Sequence, residues 1–260
     1  ISSLRADSRT EPLVASLARG GHRTLTMAPE AGTERLRSVI RKPITDEHLF
    51  AACDLLRRYG IPNLKCYFMI GLPTETPEDV EAIADLATRL LQRLQVPGPD
   101  GHPFGKLTLS ISSFVPKPWT PFQWAAFEDH RALEAKLDLI KRVARRLSTI
   151  RVLHENPREA GLQALLARGD RRVADFVEIA ASLGGDWRRA LREWAGDPAF
   201  YTRRVRPLGE TLPWDHFEVG VKKAGLVKEW ERAGLALEEV TAWRAGGWPG
   251  RQRCPPARAG

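Results

Sequence analysis

The stretch Tyr67-Phe68-Met69-Ile70-Gly71-Leu72-Pro73-Thr74-Glu75-Thr76 decides how this chain is read. Its opening residues are apolar or small on both faces, as a strand buried in a parallel sheet should be. Gly71 ends that run with the freedom to take a positive φ. Thr76 is a good N-cap, with Pro77 at the first helical position and Asp79 at the third. Apolar residues Val80, Ile83, Ala84, Ala87, Leu90 and Leu91 then recur at the 3.6-residue period, predicting a helix over 77–94.

The same alternation runs outward in both directions. Strands are expected at 1–5, 24–28, 65–70 and 106–115, and helices at 12–18, 33–41, 46–59 and 77–94. Thr45 caps the third helix, and Gly60 ends it at the usual C′ position. Strand, helix, strand, helix implies parallel pairing through right-handed crossovers, hence an α/β fold. Prolines and glycines over 96–105 mark a loop, and three prolines over 116–121 mark a second break. From about residue 128 the pattern changes. Leu133, Leu137, Ile140 and Ala144 line one face of a helix over 130–147, residues 151–154 can add a strand, and helical runs follow at 159–167, 172–183, 187–194 and 219–233. The chain therefore divides into an α/β half (1–125), a mostly α-helical region (126–240) and a basic tail (241–260) expected to be disordered.

Composition narrows the function classes. The chain has 260 residues and a formal net charge of +8. Half of that excess lies in residues 241–260, which hold four Arg and no acid. The rest is nearly balanced, so composition gives no nucleic-acid footprint on a folded face. No run of about 18 apolar residues exists, which excludes a membrane-spanning helix in this sequence. Three cysteines (Cys53, Cys66 and Cys254) are too few for a disulfide framework and fit a reducing compartment, so the cytoplasm is the expected location. Their spacing gives no metal site. The first residue is Ile1, and the chain reads as a fragment that begins inside a domain.

Four segments can carry chemistry. In parallel α/β proteins ligands sit at the carboxyl ends of strands. Glu75 falls there, after Gly71; the plainer reading is a βα turn with a helix-flanking charge. Glu30, in Ala28-Pro29-Glu30-Ala31-Gly32-Thr33-Glu34-Arg35-Leu36, falls there too and can hold a hydroxyl or an ammonium group. Arg5, in Ser3-Leu4-Arg5, can grip a carboxylate with two hydrogen bonds or lie on the surface. Phe114-Val115-Pro116-Lys117-Pro118-Trp119-Thr120-Pro121-Phe122-Gln123-Trp124 can wall an aromatic ligand or pack as a hinge between the halves.

Taken in order, these four segments resemble the second half of a radical SAM core, most closely that of proteins carrying an N-terminal cobalamin-binding-type domain. The resemblance extends to Leu165-Leu166-Ala167-Arg168-Gly169-Asp170-Arg171-Arg172 and to Leu212-Pro213-Trp214-Asp215-His216. It implies a partial (β/α) barrel, formed by the later strands of such a core. It also implies a [4Fe–4S] cluster held by a Cys-x₃-Cys-x₂-Cys loop, and S-adenosylmethionine cleaved by one electron to methionine and a 5′-deoxyadenosyl radical. By position, Arg5 and Glu30 match residues that contact the polar parts of S-adenosylmethionine. Gly71 and Glu75 match the motif that shapes its adenine and ribose pocket, and Phe114 and Val115 match the strand exit near adenine.

The cysteine loop is absent from this sequence, as is a cobalamin-binding His motif. The expectation is therefore a fragment of a radical SAM enzyme that acts only with the missing N-terminal barrel half, on an unknown substrate. S-adenosylmethionine and the cluster are its cofactors in the full-length protein, with cobalamin a further one the resemblance allows. Methylation, methylthiolation and carbon–carbon rearrangement stay open. Two rivals remain: a non-catalytic module gripping RNA or a protein through 166–172, and a small barrel using Glu30 and Glu75 for acid–base chemistry.

Overall fold

The computed structural model describes residues 11–98, 101 and 103–234. The strand expected at 1–5, with Arg5, and the tail at 241–260, with Cys254, lie outside the described residues. The described chain opens with α1 (Glu11–Arg19), β1 (Thr24–Glu30), α2 (Glu34–Val39), α3 (Asp46–Arg58), β2 (Asn63–Ile70), α4 (Pro77–Gln95) and β3 (Lys106–Ser113). It continues with α5 (His130–Ala144), β4 (Ile150–His154), α6 (Pro157–Arg168), α7 (Val173–Ser182), α8 (Trp187–Glu193), α9 (Pro198–Thr202) and α10 (Lys223–Arg232).

The four strands form one parallel sheet in the order β1-β2-β3-β4. This is the α/β architecture of a partial barrel, and the described strands do not close on themselves. The boundary expected at residue 125 does not coincide with a break in the sheet. β4 pairs with β3 from Leu107↔Ile150 to Ile111↔His154. Leu133, Leu137 and Ile140 of α5, and Ala160 and Ala164 of α6, share the main core with the strands. Burying the apolar face of α5 against a sheet edge is what extends the layer.

Local chemistry sets the element ends. The Thr76 hydroxyl accepts from the Asp79 amide while the Asp79 carboxylate accepts from the Thr76 amide at 2.8 Å, a reciprocal cap. Thr45 and His48 make the same exchange at α3. Gly60 takes φ 65° and stops α3 as expected. Gly220, at φ 72°, stands before α10, so that helix begins at Lys222–Lys223 rather than at residue 219. The short α9 has no apolar period of its own; Asp197 and Pro198 start it. No described helix is long and apolar enough to cross a membrane.

The packing differs between regions. Around the sheet the core is aliphatic, from Leu25, Met27, Leu64 and Ile70 to Leu107 and Leu109. Away from the sheet it is aromatic: Trp124, Trp214 and Trp230 form one cluster, and Phe176, Trp194 and Tyr201 another.

Candidate functional site

The carboxyl ends of β1, β2 and β3 lie side by side, because Glu30 is in register with Phe68 and Ile70 with Ser113. Three sequence-predicted positions meet there. Ala31, Leu36 and Leu72 form a small buried apolar cluster, with Met69 and Phe114 packed on it. The Phe114 amide donates to the Ile70 carbonyl at 2.8 Å, fixing the exit of β3 beside Gly71. Val115, one residue on, packs against the main core instead. A strand alternates its faces, so neighbouring residues serve two different layers.

Glu30 follows an irregularity in the β1–β2 pairing and takes φ 70°. Thr74 (φ 63°) and Trp119 (φ 56°) are also left-handed without being glycine, each in a loop after a strand. Such backbone costs of order 1–3 kcal/mol per residue and collects where a loop must hold one shape. The Glu30 carboxylate accepts from Lys42 Nζ at 2.7 Å and stays partly open to solvent. It is accessible, charged and at a strand end.

The loops after β1 and β2 are bolted to each other. A Cβ on Gly32 would lie 2.5–2.7 Å from backbone atoms of Asp79, Ala82 and Ile83, so only glycine lets the first loop rest on α4. The Thr33 hydroxyl donates to Asp79 at 2.5 Å, and Arg35 pairs with the same carboxylate and donates to the Thr74 carbonyl at 2.9 Å.

Glu75 does not project from its loop. It is 1% exposed and accepts from the Gly71 amide at 2.9 Å and from Lys136 Nζ at 2.5 Å. Lys136, on α5, also donates to Glu128 at 2.7 Å. Burial pushes the Glu75 carboxyl up to about 6, against the pull of Lys136 and with help from the like charge of Glu128. Burial works against the charge of Lys136 too, but the two carboxylates outweigh it and raise that ammonium above its usual range. Lys136 and Glu128 were not among the expected site residues. A signal for Lys136 exists: it falls on the 133-136-137-140 stripe that is otherwise Leu133, Leu137 and Ile140, where a cation needs a buried partner.

The two further motifs are structural fasteners. Arg168 is fully buried and donates to the carbonyls of Ala125, of Tyr201 at 2.7 Å and of Arg204 at 2.9 Å. Arg172 holds Asp170 so firmly by hydrogen bonding that its carboxyl titrates at about 2. Trp214 Nε1 donates to Gln123 Oε1 at 2.7 Å, and the same oxygen accepts from the Trp119 amide at 3.1 Å. Asp215 accepts from the Leu212 amide at 2.9 Å and from Lys223 at 2.7 Å. Both motifs thus clamp residues 119–125, the chain leaving β3. A groove of about 480 Å³ runs along the helices nearby and is lined by Glu128, His130, Arg158, Trp187, Arg192 and Arg203 among others.

Cys53 and Cys66 are buried and unpaired. Burial pushes the Cys53 thiol up to about 12 and raises Cys66 as well, so neither is a ready thiolate ligand. Among the described residues no group of three or more His, Cys, Asp or Glu side chains could hold a metal ion. The residues described do not fit an iron–sulfur cluster.

Comparison with known proteins finds a family match over part of the chain. Residues 2–87 match the radical SAM superfamily, a span that takes in β1, β2 and the start of α4. An uncharacterized protein of Methanocaldococcus jannaschii is 34% identical over 179 residues, 69% of this chain and 37% of that protein. A protein of Pyrococcus horikoshii named as an uncharacterized methyltransferase is 30% identical over 89 residues, 34% of this chain and 19% of its own length. The chain thus spans well under half of these curated relatives. No solved structure matches it.

Proposed function

We propose that the strand-end face built by Glu30, Gly71, Leu72 and Phe114 is one wall of an S-adenosylmethionine site, contributed by this chain to a radical SAM protein. The observation that carries the reading is the convergence of three consecutive strand ends on one apolar cradle, with a charged, accessible carboxylate at its rim. The superfamily match supports it over β1 and β2. When bound, S-adenosylmethionine would be the source of a 5′-deoxyadenosyl radical, released together with methionine once an iron–sulfur cluster not held by the described residues supplied one electron. The residues here bind and orient. Glu30 takes a polar group of the ligand, and the partly exposed Phe114, packed on the buried Leu72, offers apolar surface to its adenine. The Gly32–α4 contact and the Arg35–Asp79 pair hold the two loops at fixed separation. Arg5 belongs to the same proposal from its sequence position alone. A role for cobalamin likewise rests on the sequence resemblance, and a cytoplasmic location on two unpaired buried thiols. Of the open reaction types, methyl transfer has the support of the name given to the Pyrococcus relative.

Calorimetric titration of S-adenosylmethionine into the chain tests this. Binding is expected, weakened about tenfold by Glu30→Gln, a loss of about 1.4 kcal/mol. Arg171→Ala, in the turn between α6 and α7, should leave it unchanged. No binding by the wild-type chain, or equal affinity in Glu30→Gln, overturns the assignment.

A further inference from the structure

We infer that Lys136 is the positioning residue of the Gly71–Thr76 loop, and that Glu75 and Glu128 compete for it. The inference rests on the S-adenosylmethionine reading of the strand-end face and deepens it. That loop belongs to the β2 exit, whose Leu72 sits in the cradle. Nothing else described anchors the Glu75 side chain besides the Gly71 amide and Lys136.

The geometry leaves little slack. Gly71 takes φ 81°, and a Cβ there would meet Leu133 at 2.9 Å and Glu128 at 3.0 Å. The loop therefore lies directly against the start of α5. Lys136 reaches from the buried stripe of α5 and bridges the two carboxylates, one from each side of that seam. Two carboxylates on one ammonium leave a net negative charge in a dry place, so one of them must give way first as protons are added. Glu75 is the more buried of the two, 1% against 12% for Glu128, and gives way first. Protonation relieves that crowding, so a neutral Glu75 favours the closed, buried loop over an open, solvated one. Among the described residues, the Asp129–Arg203 pair at 2.7 Å stands beyond the cluster, and His130, Arg158, Arg188, Arg192 and Asp197 share the helical groove that Glu128 lines.

A purely structural lysine would not give these two opposite responses. Removing the ammonium should raise the pH at which Glu75 ionises. Removing the second carboxylate should lower it. The experiment is amide hydrogen exchange of the 67–76 segment from pH 5 to 8, corrected for intrinsic exchange, with S-adenosylmethionine affinity followed over the same range. Wild-type protection and affinity should rise together as pH falls through about 6. Lys136→Met should move the midpoint up by about one unit or more, and Lys136→Arg should restore it. Glu128→Gln, at the rim and the mildest change, should move the midpoint down by about half a unit or more. Midpoints that do not move, or move the same way in Lys136→Met and Glu128→Gln, overturn the inference; if Lys136→Met fails to fold, an unmoved Glu128→Gln midpoint does so alone. A protection midpoint that shifts as stated, in a chain that binds no S-adenosylmethionine, overturns the ligand reading instead and leaves the lysine lock standing.

Discussion

At the strand ends, buried cations are each paired with a carboxylate: Lys136 with Glu75 and Glu128, and Arg37 with Asp46, while Arg37 also donates to the Ala31 carbonyl at 3.2 Å. In the helical region they face backbone. Arg168 serves three carbonyls, and Arg206 donates to the Arg168 carbonyl at 2.5 Å while its guanidinium lies 5.1 Å from the Trp214 ring centre. The difference follows from what each region lacks. A sheet ladder satisfies its own amides and carbonyls, so side-chain charge there is left to other side chains and to ligands. The segments at 119–127 and 196–216 have no ladder, and their buried carbonyls need donors from elsewhere. A guanidinium, with five N–H groups in a fixed fork, can serve several at once. The abundance of arginine in this half is thus partly architectural, and the charge it carries is not a measure of phosphate binding.

The sharpest way to break that contrast is Arg168→Met. It strands three carbonyls and should cost about 4 kcal/mol, read as a shift in the urea midpoint. A loss under about 1 kcal/mol would show that water replaces the guanidinium and that the helical region is not fastened this way. On the sheet side, Gly32→Ala drives a methyl into the backbone of α4 and should cost about 3 kcal/mol. A charged pair elsewhere cannot compensate a steric clash, so high salt should not change that value.

Next in size is a pH effect confined to the strand-end region. The folded Glu75 carboxyl, at about 6, lies above its ordinary 4.5. The native state therefore binds the proton more tightly, and this group's stability is full below pH 4.5 and lost as pH rises through 6. The loss amounts to about 2 kcal/mol. Glu75→Gln should flatten that part of the stability profile in urea titrations at pH 4.5 and 7. Trp214→Phe removes one buried hydrogen bond to Gln123 and should lower stability by about 1.5 kcal/mol, seen in the thermal midpoint. Smallest is Thr76→Ala, which deletes the cap of α4 for about 1 kcal/mol and should slightly loosen the Gly71 loop in hydrogen exchange.

The elements were legible wherever a period and a cap coincided. Thr45, Thr76, Gly60 and the Val80–Leu91 stripe marked α3 and α4 to within a residue or two, because caps act within one turn of chain. The strands showed because buried parallel strands are apolar on both faces. The site was legible only in part. Glu30, Gly71, Phe114 and Val115 were marked by following or ending a strand, and the structure sets Glu30, Gly71 and Phe114 around one face. The inward turn of Glu75 was not legible, since its partner stands 61 residues away. Nor was the burial of Arg168, because nothing local distinguishes an arginine bound for carbonyls from one bound for solvent.

By itself the sequence determined the alternation of strand and helix, the parallel sense of the sheet and the strand ends at which to look. Those rest on local rules: period, cap chemistry and the handedness of crossovers. Tertiary structure alone decided that β4 extends the sheet past residue 125 and that Gly32 fits only against α4. It also decided that one lysine answers to two glutamates. Each of these depends on groups far apart in the chain, and their proximity exists only once the layers have packed.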